Sequence, residues 1–246
     1  MNQAEPEHLP LDRDAKILDE HPAGILAIEK PAGVLTHPNR KSTKKSRSLL
    51  LADYDYSSEC YVWSGNKLFL VHRLDSPTSG VLLACRTEEV ATILHEAFAR
   101  RKVKKTYHAV VKQKAKAGNG EWKDRLEEFR MDGKLRVRRG KGAEAVARAS
   151  FEREKVGRLA LSLLRLEPHT GRTHQLRVQA AARGFPIVGD RIYGDFSLNR
   201  RITRQTKVER LCLHASSIEV GFSLNGERHH FASESALPRA FGKLIS

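Results

Sequence analysis

Three short segments carry the side chains that could do chemistry. The first is His72-Arg73-Leu74-Asp75-Ser76-Pro77-Thr78-Ser79-Gly80, a loop by its Ser, Pro and Gly content. A carboxylate beside an arginine in such a loop can serve as a nucleophile or a general base. An Asp before Ser-Pro is also an ordinary turn opener, and local chemistry does not separate the two roles for Asp75. The second segment, residues 167–194, gathers Arg172, His174 and Arg177 around the start of a predicted helix. Helix N-termini favour anions, so a phosphate or carboxylate could bind there, although the same residues suit a solvated basic face. The third is Lys104-Lys105-Thr106-Tyr107. A Tyr opening a strand after a basic run can stack on a nucleobase or simply edge the core.

The flanking sequence must hold these groups in place. Residues 67–71 and 81–85 are apolar runs of the kind that form buried strands, so the Asp75 loop hangs between two core strands. Residues 24–30 read as another buried strand, with Pro31-Ala32-Gly33 turning the chain and residues 34–36 continuing it. Thr87 can cap a helix whose apolar stripe is Val90, Ile93, Leu94, Ala97 and Phe98, with Glu88 and Glu89 at its positive end and Arg100, Arg101 and Lys102 closing it. Strands are expected at 106–111, 159–166, 187–188 and 210–220, and a helix at 172–183 ending at Gly184. Residues 114–145 are weakly patterned and read as surface hairpins and loops. Strand segments outnumber helices without alternating regularly with them. That predicts an α+β fold with a mixed, largely antiparallel central sheet, flanking helices and a catalytic cleft. Residues 1–14 read as a flexible polar lead and 15–246 as one catalytic domain.

Composition narrows the partner. The chain has 246 residues, 40% apolar, with 44 Lys and Arg against 29 Asp and Glu, a net charge of +15. Such a surplus attracts polyanions, nucleic acid foremost, and makes binding salt-dependent. Cys60, Cys85 and Cys212 form neither a disulfide framework nor a zinc pattern. The N-terminus lacks a signal-peptide layout and no apolar run approaches a membrane span, so a cytoplasmic protein without membrane contact is expected. Residues 39–48 form a basic, Ser-rich stretch that reads as a solvated loop.

Taken in order, the segments resemble the pseudouridine synthases of the RluA type, which act on ribosomal and transfer RNA. The resemblance rests on the His72–Gly80 loop, on Lys105-Thr106-Tyr107, on Gly171-Arg172-Thr173-His174-Gln175-Leu176-Arg177 and on the Gly184–Gly194 stretch. Lys30-Pro31-Ala32-Gly33 and Leu213-His214-Ala215 add to it, and it spans about residues 15–232. One departure is Gln179, where the family usually has His; and since the catalytic pattern begins almost at once, the further N-terminal RNA-binding domain frequent in the family is not expected here.

The resemblance implies that Asp75 is the catalytic carboxylate, that Arg177 is the cation keeping it ionised, and that Tyr107 stacks on the base. It implies that Arg73 fills the space left when the uridine leaves its stack, and it offers Arg172 and His174 as RNA contacts. Asp75 could attack C1′, attack the ring or remove a sugar proton. The isomerisation needs no redox partner, phosphate donor or metal, so no cofactor is expected; the partner is RNA, and a monomer is the default. Two other readings remain: an RNA-binding module without catalysis, and a glycosylase, which would also use a carboxylate and a flipped base.

Overall fold

The computed structural model describes residues 9–39, 46–112, 119–155 and 159–245. The fold is α+β, built on one extended mixed sheet. Strands β1 (Lys16–His21), β2 (Ile25–Lys30), β3 (Asp53–Asp55), β4 (Cys60–Trp63), β5 (Asn66–Leu70) and β6 (Ser79–Cys85) come first. Helix α1 (Glu88–Ala99) follows, then β7 (Val103–Lys112), β8 (Gly120–Met131), β9 (Lys134–Arg139), β10 (Ala143–Lys155) and β11 (Leu161–Pro168). Helices α2 (Gln175–Ala182) and α3 (Phe196–Thr206) precede β12 (Leu213–Leu224), β13 (Glu227–Glu234) and α4 (Arg239–Ile245).

The sheet runs β3-β4-β5-β6-β12-β7-β11-β10-β8-β9, with β2 and β1 added beside β6 and β13 beside β12. Of its described strand pairs only β6–β12 is parallel, through His214 with Ser79 and Ala215 with Gly80. This crossing is tight: a Cβ on Gly80 would lie 2.1 Å from the Ala215 carbonyl oxygen, and its φ is +114°. Only glycine meets both demands.

The apolar runs of β2 and β6 are explained by burial on both faces. Ile25, Ala27, Val81, Leu83 and Cys85 pack with α1 through Val90, Leu94 and Ala97. Leu26, Ile28, Leu82 and Ala84 face the other way and pack with Leu49, Leu50, Leu70 and Leu74. Thr87 caps α1, its hydroxyl accepting from the Val90 N–H. A further core joins β7, β10, β11 and α2 through Ala109, Ala147, Leu164, Leu166, Leu176 and Ala180. Tyr107 packs against both this core and the one under Leu74.

Several elements differ from the sequence expectation. Leu9, assigned to the polar lead, is buried, Leu11 bridges Leu50, and the buried Asp12 pairs with Arg47, so the packed body includes residues 9–14. Residues 1–8, and 40–45 of the basic loop, lie outside the described residues. Residues 34–36 and 187–188 contribute single bridges rather than strands. Of the stretch 114–145, residues 114–118 lie outside the described residues; the rest forms the expected surface hairpin, β8–β9, and the start of β10, with longer strands than its weak patterning suggests. The inward row of β8 includes Trp122, Asp124 and Leu126, and a buried Asp hides the alternation that marks a strand. Helix α2 starts at Gln175 rather than Arg172, because His174 adopts a left-handed conformation with φ +51°. The Gln175 side chain then reaches back to the loop, accepting from Thr170 Oγ1 at 2.7 Å and from the Arg172 N–H at 3.1 Å.

Candidate active site

The loop between β5 and β6 is fastened from below. The Leu74 side chain is buried, and its backbone makes two hydrogen bonds with Thr36 Oγ1, at 2.9 and 3.2 Å. Lys30 sits fully buried beneath the loop and donates from Nζ to the carbonyls of Pro31 (2.9 Å), Val34 (2.6 Å) and Ser76 (3.1 Å). Burial pushes its pKa down to about 7, against the opposing pull of the Asp75 charge. His72 serves the scaffold. Its Nε2 accepts from the Leu83 N–H at 2.9 Å, its ring stacks on Phe98, and burial pushes its pKa down to about 3. With these anchors Asp75 is held in place, its side chain 21% exposed.

Arg177 meets it from α2. Its Nη1 donates to Asp75 Oδ2 at 2.9 Å. Its other edge is taken by Asp190, with Nε to Oδ2 at 2.8 Å and Nη2 to Oδ1 at 2.9 Å. Arg177 occupies the third residue of α2, near the positive end of the helix dipole, where a cation is disfavoured. Burial also opposes its charge, but the hydrogen bonds and charge of Asp190, with those of Asp75, outweigh this and hold it protonated more firmly than an ordinary arginine. Burial works against the Asp190 carboxylate too, but Arg177 and the N–H groups of Ile192 and Tyr193 hold its pKa below the usual range. The cluster therefore carries two carboxylates and one guanidinium. Asp190 is 1% exposed and neutralises Arg177, which leaves the net negative charge with Asp75. Asp75 Oδ1 has no hydrogen bond among the described residues, so one carboxylate oxygen is pinned and the other is available.

Tyr193 closes the far side. Its ring lies under Arg177 at 5.2 Å, and its hydroxyl accepts from the Val137 N–H at 2.9 Å. The hydroxyl lies 2.8 Å from His174 Nδ1. With Val137 on one lone pair, the hydroxyl proton is free to donate to Nδ1, an arrangement that puts the imidazole proton on Nε2, 3.9 Å from Asp75 Oδ2. Burial lowers the His174 pKa in spite of the nearby Asp75, which favours the neutral ring.

Asp75, Tyr107, Arg177, Arg73, Arg172 and His174 all line one pocket, so the six residues singled out in the sequence converge. Burial and the Asp75 charge both push the Tyr107 pKa up, so its phenol stays protonated. Arg73 is exposed and has no hydrogen-bond or ion-pair partner among the described residues. Arg172 lies in the loop before α2, its Nε donating to the Glu144 carbonyl at 3.2 Å. Sequence reasoning gave no role to Asp190, Tyr193 or Lys30. The signal for the first two was their place in the Gly184–Gly194 stretch; for Lys30 it was a lysine ending a buried apolar strand just before Pro31. Gln179, the departure noted above, is buried behind the site and donates from Nε2 to Asp124 Oδ2 (2.9 Å) and to the Trp122 and Ala145 carbonyls (both 3.1 Å).

Comparison with known proteins gives the class. The family described as RNA pseudouridylate synthase matches residues 24–182. A tRNA pseudouridine synthase C of Yersinia pestis is 34% identical over 219 residues, covering 85% of this chain and 81% of that protein. An uncharacterised RNA pseudouridine synthase of Zymomonas mobilis is 35% identical over 227 residues, 90% of this chain and 94% of its own length. Among solved structures, human RNA pseudouridylate synthase domain containing 4 superposes with a TM-score of 0.65 at 25% identity, covering 92% of this chain and 90% of that one. The chain belongs to the RNA pseudouridylate synthase family. It is an isomerase of the RluA type.

Proposed function

We propose that this protein converts one uridine of a transfer RNA to pseudouridine, with Asp75 as the catalytic carboxylate. The observation that carries the reading is the Asp75–Arg177 pair at 2.9 Å in a pocket shared with Tyr107, Arg73, Arg172 and His174. Transfer RNA is favoured over ribosomal RNA because the Yersinia relative is a tRNA pseudouridine synthase.

In the reaction the N1–C1′ bond breaks, the base turns, and C5 bonds to C1′; C5 loses a proton and N1 gains one, so nothing enters or leaves overall. Asp75 acts with its unpinned oxygen while Arg177 holds the other through the 2.9 Å hydrogen bond. Tyr107 stacks on the base; its raised pKa makes a phenolate base unavailable near neutral pH. The target must leave its stack, at a cost of a few kcal/mol. Arg73, exposed at the pocket and without a hydrogen-bond or ion-pair partner among the described residues, fills the gap. The buried, unpaired Cys60, Cys85 and Cys212 suit work in a reducing cytoplasm.

The test is to incubate purified protein with transfer RNA from cells lacking its gene and map pseudouridines. One new pseudouridine at a defined position is expected. Modification confined to ribosomal RNA would overturn the substrate, and released uracil would mark a glycosylase instead.

A further inference from the structure

Beside the catalytic pocket lies a second cavity of about 420 Å³. The two adjoin, sharing Arg73, Lys105, Tyr107 and Arg172 in their walls. The second extends toward the end of α1, where Phe98 and Arg101 line it. Four of its wall residues are Arg or Lys, and none is Asp or Glu. The basic run after α1 divides by direction. Arg100 pairs with Glu96 at 3.1 Å and Lys104 with Glu219 at 3.1 Å, outside the cavity. Arg101 and Lys105 line the cavity and have no carboxylate partner among the described residues; Lys105 has only the Phe98 ring, 5.8 Å from Nζ.

Arg101 holds its place at a cost. The Arg101 N–H bonds to the Phe98 carbonyl and the Lys102 N–H to the Ala97 carbonyl, the pairing that ends a helix with a left-handed residue. Arg101 is that residue, with φ +58°. Glycine suits this position better than any side-chain-bearing residue, so the backbone gains nothing from arginine here. What arginine adds is a guanidinium in the cavity wall.

We propose that this cavity binds a backbone phosphate of a nucleotide adjoining the target uridine, with Arg101 and Lys105 as its ligands. The proposal rests on the RNA reading above. It explains why Arg101 and Lys105, without carboxylate partners among the described residues, stand beside the catalytic pocket while Arg100 and Lys104 are paired and Lys102 lines a different cavity. A phosphate held here would fix the strand on the side of the pocket bounded by α1, and the contact would be independent of base identity.

The experiment measures affinity of the full chain for unfractionated transfer RNA across a salt titration, together with melting temperature, for wild type, Arg101→Gly, Lys105→Met and Arg100→Gln. Each lost phosphate contact should reduce the slope of log Kd against log salt by about 0.7–0.9 and weaken binding about five-fold near ~0.1 M salt. Arg101→Gly and Lys105→Met should show this, and Arg100→Gln should not. Arg101→Gly should also melt at or above the wild-type temperature, a combination that a structural role cannot produce. Wild-type slopes in both cavity variants, or a loss of Arg101→Gly stability with unchanged affinity, would overturn the proposal. If wild type binds with the expected slope but makes no pseudouridine in any RNA, the catalytic reading fails and the phosphate site stands.

Discussion

Arg177 and Asp190 meet edge to edge through two hydrogen bonds of 2.8 and 2.9 Å, both side chains almost wholly buried. This pairing fixes the guanidinium plane so that its remaining Nη1 edge points at Asp75. It also settles the charge of the site, since a guanidinium already neutralised by Asp190 can hold Asp75 without cancelling it. Asp190 is itself set by the turn around it. Gly189, with φ +77°, approaches the Arg210 carbonyl so closely that a Cβ would sit 1.9 Å from the oxygen. The Ile192 and Tyr193 N–H groups then satisfy Asp190 Oδ1.

Asp190→Asn should therefore damage both stability and turnover. Asn presents an N–H to one guanidinium edge and removes a buried charge, leaving Arg177 with Asp75 as its one anion. Breaking such a buried pair costs about 3 kcal/mol or more. Chemical denaturation should show a loss of that order, and pseudouridine formation should fall by more than RNA binding. Wild-type stability and turnover together would show that Asp75 alone suffices to hold Arg177.

Asp75→Asn should behave differently, because Asp75 is partly exposed and Arg177 keeps Asp190. The variant should fold, melt close to wild type and bind transfer RNA, yet form no pseudouridine. Turnover comparable to wild type would remove Asp75 from the chemistry.

The contrast between these two aspartates also marks how far the sequence could be read. Asp75 stood out as a candidate because its loop hangs between apolar strands, but the roles expected of Asp75, Arg177 and Tyr107 came with the family resemblance of their segments. Asp190 acts through Arg177 from thirteen positions away, and no local pattern announces a partner brought near by folding. The fold class followed from the balance of strands and helices. The start of α2 did not, since it turns on the left-handed His174, and neither did β8, whose inward row carries Asp124. Helix α3, with mostly polar residues and only Leu198 and Ile202 buried, offered too narrow an apolar stripe to be noticed.

Tyr193→Phe tests the coupling of His174 to β9. The change keeps the ring under Arg177 but removes the oxygen that joins Val137 N–H to His174 Nδ1. Leaving these groups unpaired costs about 1–2 kcal/mol. The expected result is a modest drop in melting temperature with kcat/KM lowered about five-fold, the equivalent of about 1 kcal/mol of positioning. An unchanged kcat/KM would mean that His174 needs no such tether.

Lys30 offers a prediction in pH. Its ammonium is buried among three carbonyls below the Asp75 loop, and burial lowers its pKa to about 7 in the folded chain; the Asp75 and Asp12 charges resist the fall and Arg210 adds to it. Unfolded, a lysine titrates near ~10.4. Between these values the unfolded chain binds more protons than the folded one, so stability must rise with pH across that window. The penalty for the buried charge is present in full below about 7 and is relieved above it. Lys30→Met keeps the chain length but has no titrating group, so its melting temperature should climb less than that of wild type between about pH 7 and 10. It should also lose activity at every pH, because the Ser76 carbonyl loses the donor that anchors the Asp75 loop. Identical pH slopes in the two proteins would show that the Lys30 ammonium keeps its proton throughout, held by the carbonyls more strongly than burial opposes it.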